Sequence, residues 1–212
     1  MEINVRAAIG RAKLYGILDL GYVNEVQALA TARAMLEGGV QILQLRAKNK
    51  PVELIVTLGR ELAHLCRGYG VPFVLNDYPA LVKETGADGV HVGQDDLSVA
   101  EARELSPANA IIGKSTHSLA QAVAAQEEGA DYIGFGPLFA TATKPDYQPI
   151  GLAGIAEACR RVSVPIFCIG GIKRENLVDV LAAGAQRIVI VSGILLADDI
   201  SAYCRNCLAA FQ

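Results

Sequence analysis

Long apolar runs are missing from this sequence, and none approaches the roughly 18 residues that a membrane-spanning helix requires. The first residues, MEINVRAAIGRAKLYG, lack the apolar segment that is typical of a secretory signal peptide. We therefore expect a cytoplasmic protein that does not bind membranes.

The sequence also lacks a large excess of either positive or negative charge. The formal net charge is −3, and lysine and arginine are spread along the chain. Nucleic-acid-binding proteins usually carry a clustered basic surface, so we expect no nucleic-acid partner. If the ligand is anionic, a few local cations must hold it.

Cysteine is present in an odd number, five, and only Cys204 and Cys207 have the C-x-x-C spacing. A second pair, which many zinc sites need, is missing. The simpler prediction is reduced, packed thiols in a cytosolic protein, and redox or metal chemistry at this pair is the alternative.

Linkers, low-complexity segments and charge blocks are absent as well, which predicts a single domain over residues 1–212. Short β-branched runs alternate with Ala- and Leu-rich segments of helical spacing. The strand candidates are residues 14–19, 40–45, 72–76, 88–92, 110–114, 131–135, 165–169 and 187–191, and the helix candidates include 25–37, 52–67, 118–128 and 174–183.

Eight β–α units with no spare segment predict a closed parallel (β/α)8 barrel, the TIM barrel. Glycines just before strands support this reading, because glycine can end a helix in the left-handed conformation. They are Gly39, Gly86, Gly129 and Gly184. An open, doubly wound sheet is the competing fold.

The active site of such a barrel lies at the carboxyl ends of its strands. Gln44, Arg46 and Lys48 alternate at the end of the second strand, so their side chains should point to one side. A barrel would not bury two unpaired cations, and a polyanion at its mouth would explain them. Surface salt bridges are the alternative.

Two carboxylates follow neighbouring strands, at Asp77 and Asp96. Their convergence would suit Mg2+, which takes few protein oxygens and keeps water and phosphate ligands. Alternatively, Asp77 caps the next helix, and Asp95 and Asp96 form a solvated pair.

A second anion site is predicted by the loop 136–150, which contains Thr141, Thr143 and Lys144. Gly170 and Gly171 would let backbone amides approach a phosphate closely. Tight turning alone is the other explanation for these glycines.

His117 follows a strand end and could act as a general base. A single histidine without a paired carboxylate is more often structural, so we favour that interpretation. No nucleophile or triad is evident.

The strand-end motifs together resemble thiamine-phosphate synthases over nearly the whole chain and in the same order. They are QLRAK at 44–48, ND at 76–77, HVGQDD at 91–96, GKSTH at 113–117, GPLFATATK at 136–144, GGI at 170–172 and VS at 191–192.

The resemblance implies a transferase that couples 4-amino-2-methyl-5-(diphosphooxymethyl)pyrimidine to a thiazole phosphate and releases diphosphate. It implies small phosphorylated substrates and a Mg2+ cofactor held by Asp77 and Asp96. The pyrimidine diphosphate would contact Gln44, Arg46, Lys48, Asn76, Ser115 and Lys144, and the thiazole phosphate would contact Thr141, Thr143, Gly171, Val191 and Ser192.

Arg46, Lys48 and Lys144 would be catalytic, because they can neutralise the charge that grows on the departing diphosphate. The chain departs from the family in YGILD, where a hydroxyl residue more often precedes the aspartate. It also has Ala47 where an acidic residue is common. A thiazole tautomerase of the same fold, a phosphate-binding protein without activity, and a homo-oligomer remain open.

Overall fold

The computed structural model describes residues 4–141 and 148–212, and its eight parallel strands close into a barrel in sequence order. The strands are β1 Leu14–Asp19, β2 Ile42–Arg46, β3 Phe73–Asn76, β4 Gly89–Val92, β5 Ile111–Thr116, β6 Tyr132–Phe135, β7 Ile166–Cys168 and β8 Ile188–Ile190. This confirms the predicted (β/α)8 barrel and excludes the open sheet.

Helices follow each described strand, with boundaries that shift by up to three residues from those predicted. The helices are α1 Val5–Arg11, α2 Ala28–Glu37, α3 Val52–Tyr69, α4 Val82–Thr85, α5 Val99–Leu105, α6 Leu119–Glu127, α7 Ile155–Arg161, α8 Leu177–Ala182, α9 Ser192–Leu195 and α10 Ile200–Ala209, with a 3-10 turn at Pro79–Leu81. The predicted glycine ends are confirmed by positive φ angles at Gly39, Gly86, Gly129 and Gly184.

The expectation of no spare segment is wrong at the N-terminus, because α1 precedes the first strand. Ile9 of this helix is buried against the side chains that fill the barrel. Arg6 pairs with Asp131 ahead of β6, and the Arg187 guanidinium donates to the Gly10 carbonyl oxygen at 2.7 Å. The helix therefore covers the bottom of the barrel, opposite the carboxyl ends of the strands.

Side chains alternate along each strand between two apolar layers. One layer packs between strands and helices, and the other fills the barrel. The inner layer contains large rings: Phe167 lies edge-on to Tyr15 and Tyr132, with ring centroids 5.5 and 5.7 Å apart. Among the described residues, side chains thus fill the lower end of the barrel, and room for a ligand lies near its mouth.

Among the described residues, no helix is both long and apolar enough to cross a membrane. The assignment of residues 1–212 to one domain stays a prediction.

The ring packing predicts a large loss of stability for Phe167→Ala, because Phe167 is fully buried and its removal leaves a cavity. We expect the free energy of unfolding to fall by about 3–5 kcal/mol, measured by urea denaturation. The control is Val178→Ala, at a side chain that is 69% exposed, which should change stability by no more than about 0.5 kcal/mol. Equal losses in the two variants would contradict this packing.

Candidate active site

A cavity opens at the carboxyl ends of the strands, and it brings together most of the predicted site residues. Of these, Gln44, Arg46, Asn76, Ser115, Thr141, Gly171, Val191 and Ser192 line it. Thr143 and Lys144 lie outside the described residues. Lys48, Asp77 and Asp96 form a separate charged cluster beside β3.

Both predicted cations have carboxylate partners, so their charge alone does not demand a polyanion. Arg46 Nη1 lies 2.6 Å from Asp19 Oδ2, and Lys48 Nζ lies 2.9 Å from Asp77 Oδ2. The argument from unpaired cations is therefore wrong. Each cation still has further N–H donors, since guanidinium carries five and ammonium three.

Asp19 is a site residue that the sequence reasoning missed. It is 2% exposed, and its register partner on the neighbouring strand is Arg46. The carboxylate also accepts from the Gly21 amide at 2.9 Å, which helps to fix its position. The sequence offered a partial signal, because a carboxylate and a cation end two adjacent strands of the predicted barrel, but the register that pairs them is a feature of the structure.

Asp77 sits in an uncommon backbone conformation, with φ of 67°. Its amide donates to the His91 carbonyl oxygen of the next strand at 2.9 Å. The alternative that Asp77 caps a helix is wrong, because Tyr78 precedes the 3-10 turn and no side chain caps it. A left-handed conformation at a non-glycine residue costs on the order of 1 kcal/mol. Here this conformation directs the Asp77 carboxylate towards the barrel mouth.

The carboxylates of Asp77 and Asp96 are close enough to interact electrostatically. Burial raises the pKa of Asp77, and the neighbouring Asp96 raises it further, while the hydrogen bond from Lys48 opposes this shift. The same hydrogen bond raises the pKa of Lys48. The cluster is therefore a place where additional positive charge is favourable.

This donor set fits Mg2+, although no group of three or more His, Cys, Asp or Glu side chains forms a metal cage within residues 4–141 and 148–212. Mg2+ commonly uses one or two carboxylates and completes its shell with water and phosphate oxygens. Two converging carboxylates at the edge of the cavity satisfy that requirement.

A buried lysine supports the loop that carries Asp96. Lys114 is 6% exposed, and its ammonium donates to the carbonyl oxygens of Gly93 at 2.7 Å and Leu97 at 3.1 Å. The Gly93 amide in turn donates to Asp96 Oδ2 at 2.8 Å. Lys114 therefore holds both ends of the segment 93–97 against β5. A lysine within an apolar strand was a visible signal for such a role.

On the β2–β3 side of the cavity, two buried polar atoms have no hydrogen-bond partner among the described residues. They are Gln44 Oε1, an acceptor, and Asn76 Nδ2, a donor. Gln44 Nε2 is already bonded to the Tyr15 hydroxyl at 2.6 Å. Burying such atoms without partners costs about 1–3 kcal/mol each, so they are suited to contact a ligand.

The opposite side of the cavity is built largely from backbone. Gly170 and Gly171 both have positive φ, and a Cβ on Gly171 would lie 2.8 Å from the Ala140 carbonyl oxygen. The Asn176 side chain donates to the Gly171 carbonyl oxygen at 2.9 Å and fixes this turn. Close packing at positions 170 and 171 therefore requires glycine, independently of any ligand. Val191 and Ser192 lie at the start of α9.

His117 lines the cavity, but its ring is held by the backbone. Nδ1 lies within hydrogen-bonding distance of the Gly136 carbonyl oxygen, which can only accept. The His117 amide donates to the Gln121 side chain at 2.7 Å. These contacts favour the structural interpretation of this histidine.

Cys204 and Cys207 are fully buried on α10 and are free thiols. Burial raises the pKa of Cys204 to about 12 and that of Cys207 to about 11. Thiolate is the reactive form, so the interpretation of this pair as packed, reduced thiols is supported.

Comparisons with known proteins agree on one family. A family model described as thiamine monophosphate synthase matches residues 14–194. A thiamine-phosphate synthase of Chloroflexus aurantiacus is 43% identical over 92% of this chain and 90% of its own length. One of Shouchella clausii is also 43% identical, over 94% and 96%.

A solved structure, thiamine phosphate pyrophosphorylase from Pyrococcus furiosus, superposes with a TM-score of 0.88 at 34% identity. The match covers 98% of both chains. The similarity thus extends over sequence, fold and length together.

The position of Lys114 predicts a specific local effect of Lys114→Met, which keeps the apolar stem and removes the ammonium. We expect amides of residues 93–97 to exchange hydrogen at least about tenfold faster, because hydrogen bonds to a charged group contribute about 1.5–3 kcal/mol. Hydrogen-exchange mass spectrometry measures this. Lys83→Met, at an exposed lysine, is the control. Unchanged exchange at 93–97 would exclude the anchoring role.

Proposed function

Because the chain belongs to the thiamine monophosphate synthase family, it has thiamine-phosphate synthase activity, a transferase reaction, and we propose how its barrel mouth carries that out. The substrates are 4-amino-2-methyl-5-(diphosphooxymethyl)pyrimidine and a thiazole phosphate. The C–O bond to diphosphate breaks, and the thiazole nitrogen forms a new bond to the same carbon.

The unpartnered acceptor Gln44 Oε1 is the observation that carries the assignment of the pyrimidine side. It lies in the cavity and needs an N–H donor, which the amino group of the pyrimidine supplies. Asn76 Nδ2 needs an acceptor, and an oxygen of the diphosphate supplies one. Binding this substrate would therefore satisfy both buried atoms.

The diphosphate extends from there towards Arg46, Lys48 and Ser115. Arg46 and Lys48 keep their carboxylate partners and use their remaining N–H groups on the phosphate oxygens. Lys144, which follows β6 in the sequence, would contribute a further positive charge. Preorganised cations of this kind stabilise charge that develops in the transition state.

Mg2+ held by Asp77 and Asp96 would supply additional neutralisation of the leaving diphosphate. Burial and the neighbouring Asp96 both raise the pKa of Asp77, and the hydrogen bond from Lys48 opposes them. Asp77 and Asp96 would therefore hold a divalent cation where two carboxylates lie together at the edge of the cavity.

The thiazole phosphate is assigned to the other half of the cavity. Its phosphate would be held chiefly through hydroxyl and amide donors of the lining residues Thr141, Gly171, Val191 and Ser192. Thr143 would add a further hydroxyl. In this arrangement the thiazole nitrogen would face the diphosphate, in line with the carbon that it attacks. The carbon becomes cationic as diphosphate leaves, so the residues around it need to exclude water rather than transfer protons.

The test is a coupling assay with purified protein, Mg2+ and both substrates, in which we expect thiamine phosphate. Isomerisation of a carboxythiazole phosphate without coupling would instead identify a tautomerase. A protein that binds the phosphates and forms neither product would be a binding protein.

The metal assignment predicts that Asp77→Asn lowers the coupling rate by about 100-fold or more, because one of two charged ligands is lost. Asparagine is the substitution of choice because it tolerates the positive φ at this position better than alanine does. Asp179→Asn, at an exposed residue of α8, is the matched control. An unchanged rate of Asp77→Asn at limiting Mg2+ would refute the assignment.

A further inference from the structure

Five side chains form a continuous hydrogen-bond chain through the interior of the barrel, which we call the cross-barrel chain. We propose that it fixes the direction in which the Ser115 hydroxyl donates and couples that direction to the orientation of the Gln44 amide. Its members come from five different strands and are Gln44, Tyr15, Tyr132, His91 and Ser115.

Each link of the cross-barrel chain has hydrogen-bond length. Gln44 Nε2 lies 2.6 Å from Tyr15 Oη, and the two phenol oxygens of Tyr15 and Tyr132 are 3.0 Å apart. Tyr132 Oη lies 3.2 Å from His91 Nδ1, and His91 Nε2 lies 2.9 Å from Ser115 Oγ. The chain thus joins two residues assigned to opposite ends of one substrate.

The donor at the Gln44 end fixes the direction of every following bond. Tyr15 accepts from the amide, so its single proton is available for Tyr132. The Tyr132 hydroxyl then donates a hydrogen bond to His91 Nδ1, which accepts it. In the neutral form of His91, Nε2 then carries the hydrogen and donates it to Ser115 Oγ. The Ser115 hydrogen is left to point into the cavity.

The reverse direction conflicts with the Gln44 amide. If Ser115 donated to His91, then His91 would donate to Tyr132 and Tyr132 to Tyr15. The Tyr15 proton would then face the Gln44 N–H group, so two donors would meet. A reversed chain therefore requires the amide to flip and to turn Nε2 into the cavity.

Because the cross-barrel chain is buried, mixtures of its two hydrogen-bond directions are disfavoured. Tyr15 and Tyr132 are about 1% and 0% exposed, and burial raises the pKa of both phenols, so they keep their protons. In this low-dielectric interior a donor without an acceptor is strongly disfavoured, so the hydrogen bonds run in one direction or in the other.

A glycine on β5 leaves room for the Tyr132–His91 link of the cross-barrel chain. Gly113 lies where a Cβ would approach Tyr132 Cζ to 2.2 Å and His91 Nδ1 to 2.5 Å. A side chain at this position would therefore separate the tyrosine from the histidine. The cross-barrel chain therefore explains why position 113 is glycine, and contact with a ligand does not explain it.

The consequence is a link between two recognition events at the proposed site, and this part depends on the proposed function. With Gln44 Oε1 turned to an amino group, Ser115 donates to the diphosphate. A pyrimidine that presents an oxo group there would favour the flipped amide and the reversed chain. Ser115 would then donate to His91 and leave the diphosphate without that hydrogen bond.

The direct test is the tautomer of His91, read by 15N NMR of histidine-labelled protein without substrate. The protein has three histidines, and the spectrum of the His91→Asn variant shows which signal belongs to His91. We expect the Nε2–H tautomer with an unprotonated Nδ1. The Nδ1–H tautomer in the unmodified protein would overturn the proposal, and this measurement needs no variant that must fold.

The Tyr132→Phe variant tests the coupling, because it removes the link to His91. We expect a mixture of His91 tautomers and a KM for the pyrimidine diphosphate about tenfold higher, with the KM for the thiazole phosphate unchanged. Tyr69→Phe, on a partly exposed tyrosine of α3, is the control and should leave all three unchanged. An unaltered tautomer in Tyr132→Phe would overturn the proposal.

The two hypotheses fail separately. The expected tautomer together with no thiamine phosphate formation would refute the proposed function and keep the chain direction. Normal thiamine phosphate formation together with the Nδ1–H tautomer of His91 would support the proposed function and refute the direction of the cross-barrel chain.

Discussion

Closure of eight parallel strands is the constraint on which the other features depend. It removes every sheet edge, and it forces each strand residue to face either the barrel interior or the helices. It also brings all carboxyl ends to one rim. Polar groups that are far apart in the chain, such as Gln44 and Ser115, therefore share one cavity, while the rings of Tyr15, Tyr132 and Phe167 fill the space beneath it.

The sequence was sufficient for the barrel and for most cavity-lining residues, because both follow from periodicity and from the position of strand ends. Residues such as Arg46 and Ser192 could be placed by counting from an apolar run. The roles of these residues are a different matter. They came from the resemblance to a family, and they remain proposals for this chain.

What could not be predicted depends on side-chain partners across the barrel. Asp19 looked like the end of a strand, and only the register shows that it pairs with Arg46. Tyr15 and Tyr132 read as core residues, which they are, but their hydroxyls also meet. Helix α1 was overlooked because it lies outside the β–α repeat. Local patterns carry no information on such distant contacts.

The position of α1 has a practical consequence for work with this enzyme. The helix seals the amino-terminal face of the barrel, where Arg6 meets Asp131 and Arg187 meets Gly10. A tether attached ahead of Val5 would leave the molecule on the side away from the cavity. Immobilised through that end on a surface, the protein would keep its mouth open to the solution.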